Sequence, residues 1–146
     1  MSARARDAGI PIVYVNQVGG QDELVFDGAS FAMNGAGQLT HQLPAFAEAL
    51  EFVDYADGQI LPGTMAAPLT SEAALWGALT LGVKDYLGKN NFPGAIIGLS
   101  GGIDSALTLA IAVDALGADK VRAVMMPSPW TAQMSLDDSR EMVKRL

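Results

Sequence analysis

The stretch Gly94-Ala95-Ile96-Ile97-Gly98-Leu99-Ser100-Gly101-Gly102-Ile103-Asp104-Ser105-Ala106-Leu107 constrains the fold of this chain more than any other. Ala95 to Leu99 have the short, continuous apolar character of a parallel strand buried on both faces. Gly101 and Gly102 then permit backbone angles closed to other residues, and Asp104-Ser105 opens a helical pattern that runs to Leu116 with Gly117 as its stop. Lys120 to Met126 reads as a second strand. Strand, loop, helix and strand make a βαβ unit with an expected right-handed crossover, so the fold class is α/β. N–H groups at such a turn point outward, and the helix start adds roughly half a positive charge, which together favour an anion. Ligands of such sheets gather at the carboxyl ends of the strands, where Ser100 and Pro127 would both lie.

The spacing excludes the two commonest phosphate loops. No lysine follows Gly102, as a Walker A loop requires, and the order Gly98-x-x-Gly101-Gly102 is not Gly-x-Gly-x-x-Gly. What remains, Ser100-Gly101-Gly102-Ile103-Asp104-Ser105, resembles the pyrophosphatase loop of enzymes that split ATP between its α and β phosphates, including NAD, GMP and asparagine synthetases and some tRNA-modifying enzymes. The resemblance implies that Gly98, Leu99, Ser100, Gly101, Gly102, Ile103, Asp104 and Ser105 bind ATP, and that Asp104 holds Mg²⁺. Two plainer readings stand beside it: a glycine-rich turn without a ligand, and an Asp104 that only caps the helix.

Composition narrows the partners. The 146 residues suffice for one domain or parts of two, since domains cluster at about 100 to 150 residues. With 50% hydrophobic and 17% charged residues the chain can build a packed core. A net charge of −7 argues against a nucleic-acid surface, so any anion must be held locally. The absence of cysteine removes disulfides, thiolate metal sites and thiol nucleophiles. No signal-peptide pattern and no apolar run of about 18 residues is present, so no membrane partner is expected and the cytoplasm is the expected compartment.

Before the loop, Ser2 to Ala8 has helical spacing with Gly9 as a stop, and the β-branched run Ile10 to Asn16 reads as a strand covered on both faces. Leu24 to Phe26, Ala29 to Met33 and Gln38 to Leu43 read as short strands, the last two joined as a hairpin by Asn34-Gly35-Ala36-Gly37. His41 reads as an ordinary surface or hairpin residue. The segment from Val15 to Phe31 resembles the C-terminal part of a nitrilase-type amidohydrolase domain, the glutaminase of synthetases that take nitrogen from glutamine. Such domains use a Cys, a Lys and a Glu, and the resemblance places all three upstream of Met1, so no catalytic residue is assigned in this chain.

Ala56 to Thr70, with Gly58, Pro62, Gly63 and Pro68, reads as a linker. After it, Thr70 or Ser71 caps a helix whose Leu75, Trp76, Leu79, Val83, Tyr86 and Leu87 share one face, ended by Gly88 and Pro93. Met125-Met126 is a candidate wall for an adenine ring, and Ser135 to Leu146 reads as a helix started by an N-cap and first-turn acids.

The segment from Met126 to Ser139 resembles the one that follows the second strand in NAD synthetases. With the nitrilase-like tail, the resemblance is to glutamine-dependent NAD synthetases over nearly the whole chain. It implies residues 1–58 as the end of a nitrilase-like α-β-β-α sandwich, 59–70 as linker, and 71–146 as the start of a doubly wound parallel sheet of the adenine nucleotide α-hydrolase type. The implied reaction joins ammonia from glutamine to nicotinic acid adenine dinucleotide at the expense of ATP, in a homo-oligomer. The chain is expected to be cut at both ends and inactive alone. Two other readings stay open: a GMP synthetase-like or tRNA-modifying enzyme with the same loop, and a non-catalytic nucleotide-binding fragment.

Overall fold

In the computed structural model, which describes residues 1–146, helix α1 (Ser2–Ala8) and strand β1 (Ile12–Tyr14) precede a two-stranded ribbon, β2 (Val18–Gln21) and β3 (Leu24–Asp27). Strands β4 (Phe31–Met33) and β5 (Leu39–Gln42) form the expected antiparallel hairpin, and β1 adds to its other side in the order β1-β4-β5. The hairpin turn is fixed by the Asn34 side chain, whose Oδ1 accepts from the N–H groups of Ala36 at 3.1 Å and Gln38 at 3.0 Å. Across the β1-β4 pair Tyr14 stacks on Phe31 with centroids 5.1 Å apart, a cross-strand aromatic contact of about 0.5–1.5 kcal/mol.

Several expectations need correction here. β1 is shorter than the apolar run that predicts it and is not covered on both faces: Val13 is 56% exposed, with no element packed over it, and β1 pairs with β4 alone. His41 is buried in the hairpin, with Nδ1 3.3 Å from Thr40 Oγ1, so it is no surface residue. At the start of the stretch read as a linker, β6 (Tyr55–Ala56) and β7 (Gln59–Ile60) pair antiparallel across Asp57-Gly58, both at positive φ (50° and 78°). That dipeptide is the usual two-residue hairpin turn, a signal obscured by the surrounding prolines.

Helix α2 (Ser71–Lys89) starts at Thr70, whose hydroxyl accepts the N–H of Ala73 at 3.2 Å. Gly88 lies inside the helix, and the left-handed residue after it is Asn91, at φ 57°. Of the expected apolar face, Trp76, Val83 and Leu87 are half-buried, while Leu75, Leu79 and Tyr86 are exposed.

Strands β8 (Ala95–Gly98) and β9 (Val121–Val124), with α3 (Ile103–Leu116) between them, realise the βαβ unit. The two strands run parallel, from Ala95 opposite Val121 to Gly98 opposite Val124. Although α3 is apolar nearly all round, it buries only Leu109 and Ala112, and Ile103 and Leu107 remain exposed. Helix α4 (Gln133–Arg145) begins two residues before Ser135, with Ala132 as N-cap and no acid in its first turn.

The chain divides into two spatial units, Met1–Gly19 with Leu24–Ala78, and Gly20–Glu23 with Leu79–Leu146. Residues 59–70 count with the first unit, and the second contains the β8-α3-β9 arrangement together with α4.

Candidate nucleotide site

The loop between β8 and α3 is ordered by its own hydroxyls. Ser105 Oγ donates to Gly102 O at 2.9 Å, lies 3.0 Å from Ser100 Oγ and accepts from Ser100 N at 3.2 Å, while Gly102 N donates to Ser100 Oγ at 3.3 Å. The expectation that N–H groups here point outward is therefore corrected for Ser100 and Gly102, which donate within the loop. The donors without intrahelical acceptors are those of the first turn of α3, where the helix dipole also concentrates positive potential. Gly102 is the N-cap and Asp104 lies in that first turn, exposed, with no side-chain hydrogen bond to the protein. It therefore does not cap the helix. No three His, Cys, Asp or Glu side chains cluster anywhere in the chain, so a cation here would rest on Asp104 and on oxygens of its ligand.

Beside the loop, at the carboxyl ends of β8 and β9, lies an open cavity of about 240 Å³. Gly98, Leu99 and Ser100 form one side, and Met125, Met126 and Pro127 another, which puts Ser100 and Pro127 at one cavity as expected. The remaining wall is α4 and the turn before it: Thr131, Ser135, Leu136 and Ser139. Met126 is 79% exposed, so it borders open space rather than packing into a core. Gly101, at φ 83°, passes so near the first turn of α4 that a Cβ there would lie 2.6 Å from Ser135 Cα. Only glycine combines that backbone angle with that approach.

The predicted loop residues thus sit together. Gly98 ends β8, Leu99 is buried beneath the loop, Ser100 to Gly102 form the turn, and Ile103, Asp104 and Ser105 open α3. Ile103 is 81% exposed and borders a second depression, shared with Gly101, Gly102, Ala106 and Ser139. A model of the family described as NAD synthase matches residues 75–146. Over 99% of its length the chain is 48% identical to the glutamine-dependent NAD(+) synthetase of Rhodobacter capsulatus, and over 100% it is 45% identical to that of a Synechocystis strain. The chain spans 27% of the length of both relatives. Among solved structures, glutamine-dependent NAD+ synthetase from Acinetobacter baumannii in complex with adenosine diphosphate superposes with a TM-score of 0.94 at 46% identity, covering 99% of this chain and 28% of that one.

Within residues 75–146, sequence reasoning found the loop and the methionine wall but missed the contribution of α4. Its inward stripe is Ser135, Ser139 and Met142, with Leu136 beside it; the spacing of three and four is visible in the sequence. Serines at those positions hide the stripe from any search for apolar periodicity.

Proposed function

We propose that this chain is the part of a glutamine-dependent NAD(+) synthetase that binds ATP, and that Gly98 to Ser105 hold its phosphates. The observation that carries the reading is the position of the Ser100 to Ser105 loop, between the carboxyl end of a parallel strand and the start of a 14-residue helix. The relative solved with adenosine diphosphate supports it. In the reaction, a carboxylate oxygen of nicotinic acid adenine dinucleotide attacks the α-phosphorus of ATP, and the bond to the β-phosphate breaks to release pyrophosphate. Ammonia then attacks the acyl carbon and AMP leaves. The first-turn N–H groups of α3 would meet the phosphate charge that grows as pyrophosphate departs, in a loop held in shape by the Ser100 and Ser105 hydroxyls.

Asp104 fits a magnesium ion, since Mg²⁺ is usually held by one or two carboxylates together with substrate phosphates, and this carboxylate is exposed and unengaged. When bound, such an ion supplies positive charge against the leaving phosphate oxygens. Residues 1–58 are read as the C-terminal part of a nitrilase-like glutaminase sandwich, 59–70 as a linker and 71–146 as the start of a doubly wound sheet. With no cysteine, these residues do not supply a thiolate to attack glutamine. No helix is long and apolar enough to cross a membrane; the cytoplasm is the compartment proposed for the reaction.

Calorimetric titration of the chain with ADP and ATP, with and without Mg²⁺, tests the binding half of this reading. The whole reaction is tested in protein of the relatives' length by measuring NAD from the acid dinucleotide, ATP, Mg²⁺ and either ammonium or glutamine. NAD formed from both nitrogen sources is expected. Nucleotide binding with no NAD would leave the loop assignment standing and favour another ligase of the same loop type.

A further inference from the structure

Ser139 is the largest side chain in the chain with essentially no exposed surface, at 2%. It sits in the middle of α4, a helix otherwise dominated by charged residues, where a buried alanine would be the simpler choice. No side-chain hydrogen bond within the structure involves the Ser139 hydroxyl, although the neighbouring side chains of Gln133, Asp137 and Arg140 on the same helix are bonded to one another. No buried side-chain polar atom in the chain is cut off from both a partner and solvent, so the little surface Ser139 retains includes its hydroxyl. That hydroxyl therefore faces open space. The spaces it borders are the cavity between the loop and Met125, Met126 and Pro127, and the depressions beside Gly101 to Ala106 and beside Ala123 to Met125.

A hydroxyl taken out of bulk water without a partner is unfavourable, and the usual explanation is a ligand or an ordered water that satisfies it. The phosphate end of a nucleotide on this site is already provided for by Ser100, Ser105 and the start of α3. Ser139 lines the same cavity as Met125 and Met126, on the helix that forms its remaining wall. We propose that Ser139 is a ligand-contacting residue that hydrogen-bonds the nucleoside part of the bound adenine nucleotide, a ribose hydroxyl or a ring nitrogen, and not its phosphates. This rests on the reading of the loop as an ATP site.

The test is Ser139→Ala in the full chain, titrated separately with ADP and with inorganic pyrophosphate, and melted in the absence of ligand. Alanine is the stronger helix former, so α4 and the fold are retained. The expected result is ADP affinity lowered roughly 3- to 10-fold, the equivalent of one neutral hydrogen bond, with pyrophosphate affinity and melting temperature unchanged. Unchanged ADP affinity would overturn the contact. Equal weakening of ADP and pyrophosphate would also overturn it, since Ser139 would then act by shaping the loop. Ser105→Ala serves as the control for the underlying reading: if it weakens pyrophosphate while Ser139→Ala changes nothing, the loop assignment stands and the Ser139 inference alone falls. A wild-type chain that binds neither ligand would remove both.

Discussion

A Cβ placed on Gly101 would lie 2.6 Å from the Cα of Ser135, so the loop between β8 and α3 and the first turn of α4 touch backbone to backbone. Gly101→Ala should therefore do more than strain a residue held at φ 83°. It must also push α4 off the loop, and the two effects together are expected to cost about 2–4 kcal/mol. Thermal melting and ADP titration check this; a variant with wild-type stability and affinity would show that the approach is not required.

Removing the Ser105 hydroxyl takes away a bond to Gly102 O and the partner of Ser100 Oγ and N. These groups are exposed, so water replaces most of what is lost and the melting temperature should move little. The loop, no longer pinned, should bind pyrophosphate about tenfold more weakly, because ordering it then falls to the ligand. Calorimetry with pyrophosphate reads the effect.

Asp104→Asn is expected to leave stability unchanged, since the carboxylate makes no hydrogen bond to the protein and does not cap α3. Its effect should appear only with metal: the gain in ATP affinity that Mg²⁺ confers on the wild type should shrink. Equal Mg²⁺ dependence in both proteins would remove Asp104 from the cation site.

The tip of the β2-β3 ribbon is held by two side chains one turn apart on α2. Gly20 N donates to Asp85 Oδ2 at 2.8 Å and Lys89 Nζ donates to Gly20 O at 2.5 Å, with Lys89 and Asp85 paired at 3.3 Å. Asp85→Ala strands the Gly20 N–H, in a residue that is buried, and should cost about 1–3 kcal/mol. Hydrogen exchange at the Gly20 amide should accelerate accordingly. Protection equal to wild type would mean that the N–H is satisfied elsewhere.

In the first unit, a hydrogen bond from the Thr64 hydroxyl, with help from the Phe52 N–H and the nearby His41, holds the Glu51 carboxyl below its ordinary value of 4.5. A depressed carboxyl stabilises the fold above its unfolded-state pKa, and that contribution is lost as pH falls through the folded value. Glu51→Gln should accordingly flatten the dependence of melting temperature on pH below about 4.5 and change nothing near neutrality. The effect should be small, because Glu51 lies at the mouth of an open cavity of about 170 Å³ where water competes for its hydrogen bonds.

Local chemistry made the loop legible before any coordinates: a short apolar run, two glycines and an Asp-Ser helix start can be satisfied in few ways. The same holds for the Asn34 turn and for the Thr70 cap, each settled by side-chain to backbone bonds over two to four residues. The Asp57-Gly58 hairpin was equally local and was passed over because the prolines around it suggested a linker.

What the sequence by itself determined is the identity and order of these elements and the strand, turn and helix start across residues 98–105, since propensity, capping and spacing act between near neighbours. Only the tertiary structure decided which faces are covered. The apolar residues of β1, α2 and α3 are identical in character whether buried or exposed, and their burial depends on what lies opposite, as with exposed Val13 and Leu75 against buried Leu109. The tertiary structure likewise decided that Gly101 meets Ser135 and that His41 and Ser139 are buried. Those are approaches between residues distant in sequence or turned inward on a helix, and no pattern of hydrophobicity encodes the position of a serine hydroxyl beside a cavity.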